Sequence, residues 1–132
     1  MTRGPGSNNR AVSNEQAVMA ALAARGFEFV DPGAMTVAEQ IRSFAEATVI
    51  VASHGAALAN LAFASPGSTV VELFPAGNAV PDYWKLACGV PGLTYRYLLG
   101  LGEDKGADRS RMLVTDIEVD IDALNLLLDQ LG

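Results

Sequence analysis

Apolar positions recur at two spacings along this chain, one helical and one of short uninterrupted runs, and together they lay out an alternation of strands and helices. Residues 14–25 carry the first helical pattern, opened by Ser13 with Gln16 three positions on as a capping box and closed by Gly26. Phe27-Glu28-Phe29-Val30 reads as a short strand. Asp31-Pro32-Gly33 reads as a turn in which proline fixes one dihedral and glycine accepts a positive one. Thr36 with Glu39 forms a second capping box, and Val37, Ile41, Phe44 and Thr48 follow it at helical spacing.

Thr48-Val49-Ile50-Val51-Ala52 is a β-branched run without polar alternation, which predicts a central parallel strand covered on both faces. The turn at His54 leads into a helix through Phe63 that Pro66-Gly67 ends. Ser68 to Phe74 is the next strand, residues 75–78 a loop, and residues 81–89 a helix. Leu93 to Leu99 is a further strand, with Tyr95 and Tyr97 on one face, before a charged glycine loop over residues 100–110. Strand-like pieces at 111–114 and 117–119 precede a last helix with Ile121, Leu124, Leu127, Leu128 and Leu131 on one face. Such βα units predict an α/β fold, a Rossmann-like parallel sheet with helices on both faces, in one domain over residues 1–132.

A domain of 132 residues hides roughly two thirds of the surface its unfolded chain exposes, so one core suffices. Its net charge of −6 is concentrated at the end: residues 103–132 carry eight acids and three bases, residues 1–102 seven acids and six bases. That distribution argues against a nucleic-acid face, which needs clustered Lys and Arg, but leaves room for a small phosphorylated ligand. The single cysteine, Cys88, lies in a helical segment and reads as a buried small hydrophobe. One cysteine and one histidine also exclude a disulfide framework and a closed zinc site within one chain. The polar first ten residues lack a secretory pattern, and no run approaches the ~18 apolar residues of a membrane span. A cytoplasmic protein is the expectation.

Ser53-His54-Gly55-Ala56-Ala57 sits at the carboxyl end of a predicted strand, where open parallel sheets bind ligands. Gly55 has no Cβ to keep a ligand from the backbone, and the amides of residues 55–57 would be donors at a helix start, suited to an anion such as a diphosphate. His54 can donate to a phosphate oxygen or stabilise a leaving group as it gains charge; equally, it can fill a strand end. Glu72 falls on the face of Val70 and Phe74. It either is solvated at an early strand end, pairs with an arginine, or accepts hydrogen bonds from ribose hydroxyls. Arg3 and Arg10 flank a glycine- and asparagine-rich loop and could fork onto a phosphate. Asp120-Ile121-Asp122 has the look of a metal-binding acid pair, but it opens an amphipathic helix where aspartate is a cap. Gly100-Leu101-Gly102 lacks the rest of a dinucleotide fingerprint.

These segments in order resemble the C-terminal part of glycosyltransferase family 61, also called DUF563. The pieces are Arg3; Arg10 through Asn14-Glu15; Gly26-Phe27; Glu39-Gln40-Ile41; His54-Gly55-Ala56-Ala57-Leu58-Ala59-Asn60; Val70-Val71-Glu72-Leu73-Phe74-Pro75; and Tyr83-Trp84. The resemblance implies an inverting, metal-independent transferase with two Rossmann domains (GT-B), without a cofactor, its C-terminal half holding a nucleotide-diphosphate sugar and its acceptor glycan lying between the halves. Arg3, Arg10, Asn14, Ser53, His54, Gly55, Ala56 and Asn60 would then line the diphosphate and sugar, and Glu72 would face the nucleoside. Polysaccharide or capsule assembly is the implied setting. In the family an apolar strand and another Rossmann domain precede the Arg3 motif, and this sequence begins almost at that arginine. Activity would therefore need a complementing N-terminal half. The alternative is an inactive remnant or interaction module that forms homodimers through an exposed sheet edge.

Overall fold

The computed structural model describes residues 12–77, 79–102 and 116–131. Three parallel strands, β1 (Val49–Ser53), β2 (Thr69–Phe74) and β3 (Thr94–Leu99), form a sheet in the order β1-β2-β3. The register sets Ala52 opposite Glu72 and Val70 opposite Tyr95. Helix α1 (Glu15–Ala23) and helix α4 (Ile121–Asp129) pack on one face of the sheet. Helix α2 (Val37–Glu46), a 3-10 helix (Ala56–Phe63) and helix α3 (Asp82–Cys88) lie on the other.

Strand alternation generates these two layers. Val51, Val71 and Leu73 point into a core with Val18, Ile117, Val119, Leu124 and Leu128. Ile50, Ala52 and Val70 point into a second core with Phe44, Leu58, Leu61 and Ala64. Both crossovers, β1 to β2 and β2 to β3, run over the second face, as connections of one hand require when successive strands are added in one direction. Among the described residues the strand with neighbours on both sides is β2, not the β1 run expected to be central. The apolar signal in β1 reflects cover on both faces, with Ile50, Val51 and Ala52 all buried.

The capping box at Thr36 forms as read, with the Glu39 amide donating to the Thr36 hydroxyl and the Thr36 amide to the Glu39 carboxylate. Those bonds hold the Glu39 carboxyl below its usual pKa. Asp120 caps α4 by accepting from the Ala123 amide, which gives the Asp120-Asp122 pair its structural role.

Four local readings are corrected. Ser13 does not cap α1: its hydroxyl donates to the Ile117 carbonyl, and the neighbouring Asn14 latches onto Val119 instead. Residues 27–30 form no strand, because the chain leaves α1 through Gly26 (φ 84) and the Phe27 amide bonds back to the Leu22 carbonyl. Residues 32–34 make a short 3-10 helix capped by Asp31, and Gly33 takes no positive φ. Cys88 is exposed, since the phase of the short helix α3 turns its neighbour Ala87 inward.

The helix after His54 is 3-10 rather than α. Leu58 and Leu61 are its inward positions, with Ala64 buried just past its end, and a three-residue repeat lines them along one edge of a helix with three residues per turn. Among the described residues no helix is long and apolar enough to cross a membrane.

Candidate functional site

Strand β1 continues one step past Ser53, where the His54 amide donates to the Leu73 carbonyl at 2.9 Å. Gly55 follows in extended conformation (φ 172), and its carbonyl accepts from the Leu58 amide, the first bond of the 3-10 helix. The amides of Ala56 and Ala57 come before that bond and have no acceptor within the helix. They lie beside His54 at the carboxyl end of the strands, the end at which parallel sheets receive ligands.

Alternation puts the His54 side chain on the face of Ile50 and Ala52, and Glu72 on the face of Val70 and Phe74. Ala52, directly across from Glu72, is small, so the imidazole from two residues further along reaches the carboxylate diagonally. His54 Nδ1 lies 2.6 Å from Glu72 Oε1. From the other side the Tyr95 hydroxyl donates to Glu72 Oε2 at 2.5 Å, again a diagonal contact, since Tyr95 is in register with Val70. Glu72 is 0 % exposed and His54 7 %. A carboxylate stripped of water is costly unless donors surround it, and here both oxygens have one. Burial and the bond to Glu72 together push the Tyr95 phenol well above its ordinary pKa, which keeps it a donor.

Aromatic rings complete the enclosure. The Phe74 ring stacks on the imidazole at 5.4 Å and 27°, and the Tyr83 ring lies 5.1 Å away at 53°. Tyr97 meets the edge of Phe74 at 6.2 Å and is half exposed, so the wall extends from the buried histidine toward solvent.

The structure thus brings together His54, Gly55 and Glu72, with Ser53 half-buried at the strand end. Asn60 sits on the same 3-10 helix, but its amide donates to Gln40 Oε1 at 3.0 Å. Gln40 in turn donates to the Pro32 carbonyl, tying the helix to the start of α2. Asn14 belongs to the opposite layer, where its side chain donates to the Val119 carbonyl and accepts from the Val119 amide at 2.8 and 2.9 Å. Arg3 and Arg10 lie outside the described residues. Of the three alternatives open for Glu72, solvation and an arginine partner are both replaced by the histidine and tyrosine.

Sequence reasoning passed over Tyr95, Phe74 and Tyr83 as site residues. A signal for Tyr95 was present: a carboxylate on an inward strand position needs donors, and Tyr95 is a hydroxyl-bearing residue on the matching face of the adjoining strand. Gly100, weak as part of a nucleotide fingerprint, has a packing reason instead. A Cβ there would meet the Glu118 and Phe74 carbonyl oxygens at 3.0 Å each. A groove of about 690 Å³ opens elsewhere, between α1, residues 26–30 and Thr48–Val51, and includes none of Ser53–Ala57. Among the described residues no group of three or more His, Cys, Asp or Glu converges as a metal site would need.

A family model described as Glycosyltransferase 61 matches residues 1–71, more than half of the chain. The chain belongs to glycosyltransferase family 61. Two of its relatives carry the name protein O-linked-mannose beta-1,4-N-acetylglucosaminyltransferase 2. The protein from Homo sapiens is 35% identical over 100 residues and that from Xenopus tropicalis 36% identical over 98. Each alignment covers 70% of this chain and 17% of the relative, so the matched part of the chain spans about a sixth of those proteins. The family 61 match contains β1 and the whole His54 turn, and ends one residue before Glu72.

Proposed function

We propose that this domain holds the donor in a sugar-transfer reaction, a nucleotide-diphosphate sugar, with the diphosphate seated at the Ser53–Ala57 turn. One coincidence supports this above all: the family's His54–Asn60 segment occupies the βα turn at the carboxyl end of β1. Two amides at the helix start and, once protonated at Nε2, the ring of His54 supply donors to phosphate oxygens, and the half-exposed ring of Tyr97 offers a surface for the rest of the nucleotide. Arg3 and Arg10 would add charge to the same anion. His54 in this scheme stabilises the leaving nucleoside diphosphate as the sugar departs with inversion, without a metal ion.

The acceptor would be a glycan, since the relatives are named for adding N-acetylglucosamine to an O-linked mannose. It would lie between this domain and a second, N-terminal Rossmann half of a GT-B arrangement. The test is a panel of uridine, guanosine, cytidine and thymidine diphosphates and their sugars, followed by ligand-observed NMR and thermal unfolding. At least one member is expected to bind saturably, and at ~100 times its Kd to add about 2.7 kcal/mol to stability. A panel without any response at millimolar concentration would contradict donor binding.

A further inference from the structure

Glu72 has both oxygens committed inside the protein, one to His54 Nδ1 and one to the Tyr95 hydroxyl, and its side chain has no exposed surface. Fully buried beneath these contacts, it is out of a ribose's reach unless the pocket opens. The imidazole, by contrast, is fixed by that carboxylate at one nitrogen and by rings on its flanks. With Nδ1 committed to Glu72, whatever His54 offers a ligand it offers through Nε2.

We infer that Glu72 is a positioning residue: held by the Tyr95 hydroxyl, it keeps the proton of His54 on Nδ1 and balances the imidazolium when Nε2 donates to a phosphate oxygen. The inference rests on the donor-site reading above and assigns Glu72 to the anion, through His54, instead of to the nucleoside. A carboxylate that orients a histidine and stabilises its charged form is a general device, and it accounts for a buried acid on a strand otherwise made of Thr, Val, Leu and Phe.

Because the chain contains a single histidine, labelling histidine with a nitrogen isotope gives one pair of ring signals, which report the tautomer directly. The wild type and Tyr95→Phe are expected to carry the proton on Nδ1 with slow solvent exchange; Glu72→Gln is expected to weaken that protection, because a neutral amide oxygen is a poorer acceptor than a carboxylate. Affinities of the wild type and Glu72→Gln for inorganic pyrophosphate and for uridine diphosphate then separate the two roles. A positioning role lowers both affinities by the same factor, about tenfold or more for loss of a charge-assisted bond. A ribose contact would lower only the affinity for uridine diphosphate, and that result would overturn the inference. It is also overturned if neutral His54 carries its proton on Nε2 in the wild type, a result that needs no variant to fold. If the wild type binds neither probe, the donor-site reading falls, while the ring signals still decide what Glu72 does to His54.

Discussion

Replacing Glu72 by alanine is expected to lower the unfolding free energy by about 3 to 5 kcal/mol, the range seen when one partner of a buried charged pair is removed. The loss has two sources. His54 Nδ1 and the Tyr95 hydroxyl lose their common acceptor inside a pocket walled by Phe74 and Tyr83, and the removed side-chain atoms leave a cavity beside them. Against a typical domain stability of about 5 to 15 kcal/mol, that leaves little margin. Glu72→Gln keeps the volume and an acceptor, so its cost is expected to be clearly smaller. Urea denaturation followed by circular dichroism measures both; an alanine variant within about 1 kcal/mol of wild type would mean that water reaches the carboxylate.

Phe44→Ala is expected to cost a similar amount, about 3 to 5 kcal/mol, for an apolar reason. Phe44 is completely buried and shares one core cluster with Ile50, Ala52 and Val70 of the sheet and with Leu58 and Leu61 of the 3-10 helix. It therefore fixes α2 against the helix that begins at the His54 turn. Phe63, half exposed on that same 3-10 helix, provides the internal comparison, and Phe63→Ala is expected to stay within about 1 kcal/mol of wild type. Equal effects of the two substitutions in the same denaturation experiment would contradict the packing described.

What the sequence revealed and what it hid divide along the range of the interactions involved. Thr36-Glu39 and Asp120 are caps whose donor and acceptor lie three residues apart, so composition alone discloses them. The three strands are nearly as plain, since each is a β-branched or aromatic run between turn residues. Asn14 and Ser13 are different: their partners lie more than a hundred residues away, and the local capping-box pattern at Ser13 lost to those long-range bonds. The 3-10 geometry after Gly55 was encoded in the spacing of Leu58, Leu61 and Ala64, but an apolar stretch this rich in alanine also suits an α-helix. At the site, the position of His54 was legible from the strand end, and its partner Glu72 was legible only as a problem, an acid on an inward position. The solution needed the register, because both contacts to Glu72 are diagonal and depend on which strands adjoin. Cys88 was misread because one residue of phase on a seven-residue helix decides between core and surface.

The central claim is that the anion of the donor meets the protein at His54. Its most direct measurement is a titration of the isotope-labelled chain with a nucleoside diphosphate, following the ring signals of the single histidine together with the backbone amides. Saturable shifts of His54 Nε2 and of the amides of Gly55, Ala56 and Ala57, all giving one Kd, are the predicted result. Saturable binding that leaves those signals unmoved and shifts residues around the groove at Phe27 and Thr48 would contradict it.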